Sequence, residues 1–309
     1  MHDLHDFDFS AWAAAQGALV EQALTAWVGQ GAPAGLGEAM RYAVLDGGKR
    51  LRPLLVLAAA QAVQGHAPAA LRAACAVELI HAYSLVHDDM PCMDNDVLRR
   101  GKPTVHIAFG QAQALLAGDA LQAQAFELLT PAGDEVPAAM QAHCCRILAH
   151  AAGAQGMAGG QAIDLARVGQ PLNEEQLRQM HRLKTGALLQ ASVLLGAACG
   201  TTSAPALAAL STYGEVLGLA FQVVDDVLDV VADAATLGKT PGKDAANDKP
   251  TYVALLGLPA AQALAQDLLV QACAALDQSG LPQDDVQALR ALPTKWWGAR
   301  IEPGNLNKE

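Results

Sequence analysis

The sequence predicts an all-α protein, a single-domain helical bundle with a central cavity between its helices. Three observations carry that prediction. Apolar residues fill 52% of the 309 positions while aromatics supply only 4%, so the apolar content is largely alanine, the strongest helix former. Apolar side chains recur at helical spacing, as in Trp12, Leu19, Ala23 and Trp27. No stretch alternates with the two-residue period of a strand, and no Pro- or Ser-rich linker divides the chain.

The elements follow in order. Residues 11–28 read as an opening amphipathic helix. Asp46-Gly47-Gly48 is a turn or helix end, and Pro53 stands near the start of the next apolar helix. Residues 69–89 run as helix up to a group of aspartates, and residues 99–104, with Gly101 and Pro103, form a loop. Helices are expected at about 111–129, 136–167, 173–200 and 205–233. Residues 238–250, rich in Gly, Pro and Lys, are a loop before helices at about 251–256, 260–278 and 282–291. Leu292-Pro293 breaks the last helix, and residues 298–309 are polar and irregular.

Composition narrows the class. The length suits a large single domain, and 17% charged residues beside 52% apolar ones argue against disorder. Asp3, Asp6 and Asp8 stand where a leader would carry a positive charge before an apolar run. The longest apolar stretches, 53–63 and 187–199, are too short to cross a bilayer, so a soluble cytoplasmic protein without a transmembrane segment is expected. A net charge of −11 argues against nucleic acid as a partner. The six cysteines form no CxxC pair and read as reduced core thiols. Cations nevertheless gather at Arg41, Lys49, Arg50 and Arg52 and at Arg99, Arg100 and Lys102. Such clusters suit a small polyanion, or equally ordinary solvated helix ends.

Two carboxylate groups carry the chemistry. His81, Ser84, Leu85 and Asp88 follow helical spacing, so His81 and Asp88 share a face. Asp88, Asp89 and Asp94 then close that helix, with two residues more than a compact DDxxD between Asp89 and Asp94. An ideal helix would turn Asp94 away, whereas Pro91, which lacks an N–H, permits a distortion that returns it. Alone, this group also fits a capped helix end with Asp94 or Asp96 as N-cap. Gln222, Asp225, Asp226 and Asp229 form a single polar stripe on an otherwise apolar helix free of Lys and Arg, which is costly to bury without a cation. Together the two groups suit about two or three Mg²⁺ ions, with manganese able to substitute. Lys184-Thr185-Gly186 and the lysines at 239, 243 and 249 add cations for phosphate oxygens.

These residues resemble the trans-polyprenyl diphosphate synthases, and within them the bacterial farnesyl diphosphate synthases, from about residue 36 to 290. The resemblance rests on Gly47-Gly48-Lys49-Arg50-Leu51-Arg52-Pro53, on Glu78-Leu79-Ile80-His81, and on the run from His87 to Asp94 with Asp96. It continues through Arg99-Arg100-Gly101-Lys102-Pro103-Thr104, Gly160-Gln161 with Asp164, Lys184-Thr185-Gly186, Phe221-Gln222-Val223-Val224-Asp225-Asp226 and Gly238-Lys239-Thr240.

The resemblance implies an all-helical homodimer that ionises an allylic diphosphate, adds isopentenyl diphosphate to the cation and loses a proton. It assigns Lys49, Arg52, His81 and Arg100 to isopentenyl diphosphate. Arg99, Lys184, Thr185, Gln222 and Lys239 correspond to contacts of the allylic diphosphate. Asp88, Asp94 and Asp225 correspond to magnesium ligands, with Asp89 beside them in the catalytic group. Tyr83, five residues before Asp88, has the bulk to stop chain growth at fifteen carbons, whereas neighbouring Ser84 does not. Tyr83 is equally readable as a core aromatic. Within the family, a geranyl or geranylgeranyl diphosphate synthase is the alternative. Outside it stand a terpene cyclase, which needs no second diphosphate site, a His-Asp phosphohydrolase, and a non-catalytic synthase subunit, which would tend to lose one aspartate group.

Overall fold

Alanine-rich sequence with few β-branched residues leaves the backbone little alternative to helix. The computed structural model is accordingly helical nearly throughout, and it describes residues 7–45, 47–170, 172–231 and 251–295. Helix α1 (Phe9–Trp27) starts at Asp8, whose carboxylate accepts from the Ala11 N–H at 3.0 Å. It is followed by α2 (Leu36–Val44), α3 (Leu51–Ala62) and the long α4 (Ala67–Asp88). After a small hairpin come α5 (Val105–Phe109), α6 (Gln111–Leu129), α7 (Ala138–Ala152) and α8 (Met157–Ala166). Helix α9 (Glu174–His181) opens on a capping box between Asn173 and Gln176. It runs through a π-helical turn (Arg182–Gly186) into α10 (Ala187–Ala198). Then come α11 (Ala204–Val231), α12 (Tyr252–Leu256), α13 (Leu258–Asp277) and α14 (Gln287–Pro293).

Three differences from the sequence reading have local causes. The helix expected over 136–167 is two helices, separated by a turn at 153–156 so tight that an added Cβ on Gly156 would meet the Ala151 carbonyl at 2.1 Å. The loop expected at 99–104 contains a hairpin, β1 (Leu98–Arg99) antiparallel to β2 (Lys102–Pro103). Strands of two residues leave no periodic trace. Their turn places Arg100 (φ 52°) and Gly101 (φ 76°) both in the left-handed region, the two-residue connection whose twist matches a hairpin. Helices α2 and α5 were also hidden, being short elements between turns.

Packing runs from neighbour to neighbour: α6 on α4, α4 on α3, α3 on α10, α10 on α11 and α11 on α13. Two apolar cores result. One gathers α1, α2, α4, α6 and α7; the other gathers α11, α13 and α14. Helices α3 and α10 belong to both, with Val56, Leu188 and Leu195 on one side and Leu55, Leu189 and Val193 on the other. Helices apolar all round belong at the centre of a bundle. By length and average hydropathy α4 and α11 pass a test for membrane-crossing helices that the buried helices of a bundle also pass. Isolated polar residues interrupt the runs without lowering the average hydropathy enough. Both helices pack within the bundle and carry the aspartates.

Candidate active site

Helix α4 ends where Asp88 and Asp89 stand, and the chain then leaves the helical path without abandoning it. The N–H groups of Met93 and Asn95 both donate to the Met90 carbonyl, and the N–H of Asp94 donates to the Asp88 carbonyl at 2.8 Å. Pro91 and Cys92 are extruded to the surface while Asp94 is brought back beside Asp88. Burial pushes the Asp88 carboxyl up to about 6, and the nearby Asp94 and Asp89 carboxylates push the same way against Lys184 and Arg99. Asp89 is directed elsewhere. It is 2% exposed and is held from both sides by Arg99, whose Nε lies 2.8 and 3.0 Å from its two oxygens and whose Nη2 lies 2.6 Å from Oδ1. This fork fixes the hairpin to the end of α4.

The π-helical turn stands between the two aspartate groups. A π turn widens a helix by one residue per turn and is frequent at functional sites. Here it carries Lys184, whose Nζ lies 2.6 Å from Asp164 Oδ2 on α8 and whose charge reaches Asp88. Gly160 of α8 permits this approach, since an added Cβ would lie 2.1 Å from the Lys184 backbone nitrogen. The next residue, Thr185, donates from Oγ1 to Gln222 Oε1 on α11 at 3.3 Å.

The stripe on α11 divides by role. Asp226, buried, accepts from Gln222 Nε2 at 2.9 Å and from the backbone N–H of Tyr252 at 2.8 Å, so it ties the start of α12 to the site helix. The Tyr252 ring lies 5.7 Å from buried His181, one turn before Lys184. Asp229 is buried as well, whereas Asp225 keeps partial exposure. Lys239, Lys243 and Lys249 lie outside the described residues.

One turn and more before Asp88, the cations converge. Burial first, then Arg52, Arg100, Arg99 and Arg50 in turn, hold the His81 imidazole well below its ordinary range, so it is neutral at pH 7. Arg52 is itself lowered to about 10 by burial, with Glu78 acting to raise it and Arg100 to lower it further. The Arg100 guanidinium reaches Gly48, where an added Cβ would stand 2.9 Å from its Nη1. Arg52, His81 and Arg100 thus meet, with Lys49 next in sequence to Gly48.

Tyr83 stands between His81 and Asp88 in sequence, on the side of α4 that packs against α6. It is buried, its ring meets His87 edge-on at 5.7 Å, and its hydroxyl lies toward the Gln122 side chain on α6. His87 in turn fits because Gly118 has no side chain: a Cβ there would overlap Nε2 at 2.0 Å. Ser84 donates back to the His81 carbonyl at 2.9 Å.

The sequence reading assigned no role to Asp164, Gln122 or Glu78. Glu78 carried a signal, as the single charged residue between Arg72 and His81 in α4. Gln122, in a run of alternating Ala, Gln and Leu, carried none. Among the described residues no three His, Cys, Asp or Glu side chains form a cage sufficient for a metal. The carboxylates at 88, 94 and 225 are all-oxygen donors that fit a hard cation completing its shell with water or phosphate oxygens, the preference of Mg²⁺.

Comparison with known proteins agrees with this geometry. The polyprenyl synthetase family profile matches residues 33–287. The chain is 49% identical over 257 residues to the farnesyl diphosphate synthase of Escherichia coli, covering 82% of this chain and 86% of that protein. It is 45% identical over 292 residues to a geranylgeranyl pyrophosphate synthase large subunit of Arabidopsis thaliana, covering 93% of this chain and 78% of that protein. A Helicobacter pylori geranyltransferase, solved with magnesium and an isoprenyl diphosphate, superposes with a TM-score of 0.83 at 34% identity, over 95% of this chain and 99% of that one. An all-α bundle with aspartate groups on two of its helices, and a sequence matched over most of its length, place this chain in the polyprenyl synthetase family.

Proposed function

We propose that this chain is a magnesium-dependent trans-prenyl transferase that condenses isopentenyl diphosphate with dimethylallyl and then geranyl diphosphate to give farnesyl diphosphate. One observation carries the reading. His81 and Asp88 share a face of α4 about 10 Å apart, and arginines gather at the first while carboxylates gather at the second. Two diphosphates need two poles of this kind, and a cyclase or hydrolase needs one. The names of the Escherichia coli and Helicobacter pylori relatives support the same activity.

The chain's own residues have separate tasks. Asp88, Asp94 and Asp225 would hold magnesium, which when bound neutralises charge on the departing diphosphate. Lys184, kept in place by Asp164, adds a fixed cation there, and Thr185 with Gln222 orients the allylic diphosphate. Arg99, locked on Asp89, borders the same group. Arg52, His81 and Arg100, with Lys49, hold isopentenyl diphosphate so that its double bond faces the allylic carbon. The allylic C–O bond breaks, the new C–C bond forms, and a proton passes from the condensed cation to the released diphosphate. The apolar walls of α3, α4, α6 and α10 keep water from the cation, and Tyr83 sets the depth open to the growing chain.

The exposed Val97, Leu98, Ile107, Leu115 and Leu116, on the hairpin, α5 and α6, support a homodimer through that face, and the protein is assigned to the cytoplasm. A geranylgeranyl diphosphate synthase is the second reading, favoured by the Arabidopsis relative that covers more of the chain. Incubation with isopentenyl diphosphate, Mg²⁺ and either dimethylallyl or geranyl diphosphate, with products read by mass, decides. A fifteen-carbon product is expected, a twenty-carbon product favours the second reading, and no condensation with either primer overturns both.

A further inference from the structure

Arg50 stands in the middle of the basic segment between Gly48 and Arg52, yet it points inward rather than toward the other cations. Its backbone takes the left-handed conformation (φ 50°), uncommon for a residue with a side chain. Its guanidinium, 5% exposed, uses every edge: Nε meets Glu21 of α1 at 2.5 Å, Nη1 meets Glu78 of α4 at 2.7 Å, and Nη2 meets the Val44 carbonyl at 2.7 Å. Its own carbonyl accepts from Leu54 and starts α3. One side chain therefore joins the ends of α2 and α3 to α1 and α4.

Glu78 serves two cations. It bonds Arg50 directly, and its charge also acts on Arg52, which is crowded by Arg100. It lies three residues before His81, on the same side of α4. Buried ion pairs of this kind contribute little net stability but fix one arrangement where several are available.

We propose that Arg50 and Glu78 are positioning residues of the isopentenyl diphosphate subsite, fixing the 47–50 turn so that Lys49 and Arg52 face His81 and Arg100, with Glu78 retaining Arg52 beside Arg100. This rests on the prenyl transferase reading. Protein partners occupy every edge of the Arg50 guanidinium. Its effect is confined to one of the two diphosphates because the turn it holds carries the ligands of that one alone.

The test measures KM for isopentenyl and for geranyl diphosphate separately, together with kcat and thermal melting, in Arg50→Lys and Glu21→Gln. Glu21 is 40% exposed, so its substitution removes one contact at little risk to folding. Arg50→Lys, which keeps the charge but not the three-edged geometry, is expected to raise KM for isopentenyl diphosphate about 10-fold, leaving that for geranyl diphosphate within about 2-fold. Glu21→Gln is expected to move the same constant about 3-fold. A KM for isopentenyl diphosphate that stays at the wild-type value, or an equal rise in both constants, overturns the proposal. Should Arg50→Lys fail to fold, Glu21→Gln decides alone. Failure of the wild-type protein to condense the two substrates would instead sink the transferase reading itself.

Discussion

The N–H of Asp94 donates to the carbonyl of Asp88 at 2.8 Å, closing a loop in which Pro91 and Cys92 are pushed outward. The two residues that separate this aspartate group from a compact one therefore cost it no convergence. They are absorbed in a turn whose inner bonds run from Met93 and Asn95 to Met90, with Asn95 left-handed at φ 51°. Asn tolerates that conformation better than most side chains.

Asp88 links this geometry to pH. Its carboxyl is raised to about 6, chiefly by burial, so the folded protein binds that proton more tightly than the unfolded chain does. The stabilisation is complete below the ordinary carboxylate range and is lost as pH rises through about 6. Metal-free protein is expected to melt lower at pH 7.5 than at pH 5 on this account, and Asp88→Asn to narrow the difference by melting higher than wild type at pH 7.5. Turnover in Asp88→Asn should fall by about 10²-fold or more. Identical melting of the two proteins in a chelator at pH 7.5 would count against the assignment.

Asp225 and Asp226, adjacent in sequence, should behave differently. Asp226→Ala strands the buried N–H of Tyr252 and releases Gln222, at a cost of about 1–3 kcal/mol in stability. Asp225→Asn is expected to act chiefly on turnover, reducing kcat by about 10²-fold. Denaturant unfolding beside initial rates separates the two effects.

The proposed chain-length role of Tyr83 can be tested together with its neighbour Gln122. Tyr83→Ala removes the floor and is expected to yield chains longer than fifteen carbons, with a loss of about 3 kcal/mol in stability. Gln122→Leu removes the polar neighbour of the Tyr83 hydroxyl and is expected to add a smaller share of longer product. Mass analysis showing only fifteen carbons from both variants would place the floor elsewhere.

Gly160 tests the π turn. Alanine at this position places a Cβ 2.1 Å from the Lys184 nitrogen, so the turn must move. We expect kcat/KM to fall about 10²-fold, since displacements of about 1 Å at a positioned cation have effects of that size. Wild-type kinetics in Gly160→Ala would show that Lys184 tolerates displacement.

Much of this was legible in one dimension. Residues 111–129 could be read as a helix to the residue, because composition and a 3.6-residue period act locally. The aspartates on α11 stood out for a related reason, being carboxylates in an apolar helix that only a cation or a buried partner could justify, whereas those closing α4 fitted a capped helix end equally well. The break at Gly156 and the hairpin at Arg100 were not legible, since each depends on how closely the chain passes another part of itself.

By itself, then, the sequence determined that α4 and α11 would be helices and that their polar residues would lie together on one stripe of each. Only the tertiary structure decided which partner each of those residues takes. Asp226 turns to Tyr252, 26 positions away, while its neighbour Asp225 stays partly exposed. Arg50 turns to Glu21 and Glu78 and leaves Arg52 among the cations. Periodicity assigns a side chain to a face, but the partner that occupies or vacates that face comes from distant segments, through burial and hydrogen bonds that no local pattern encodes.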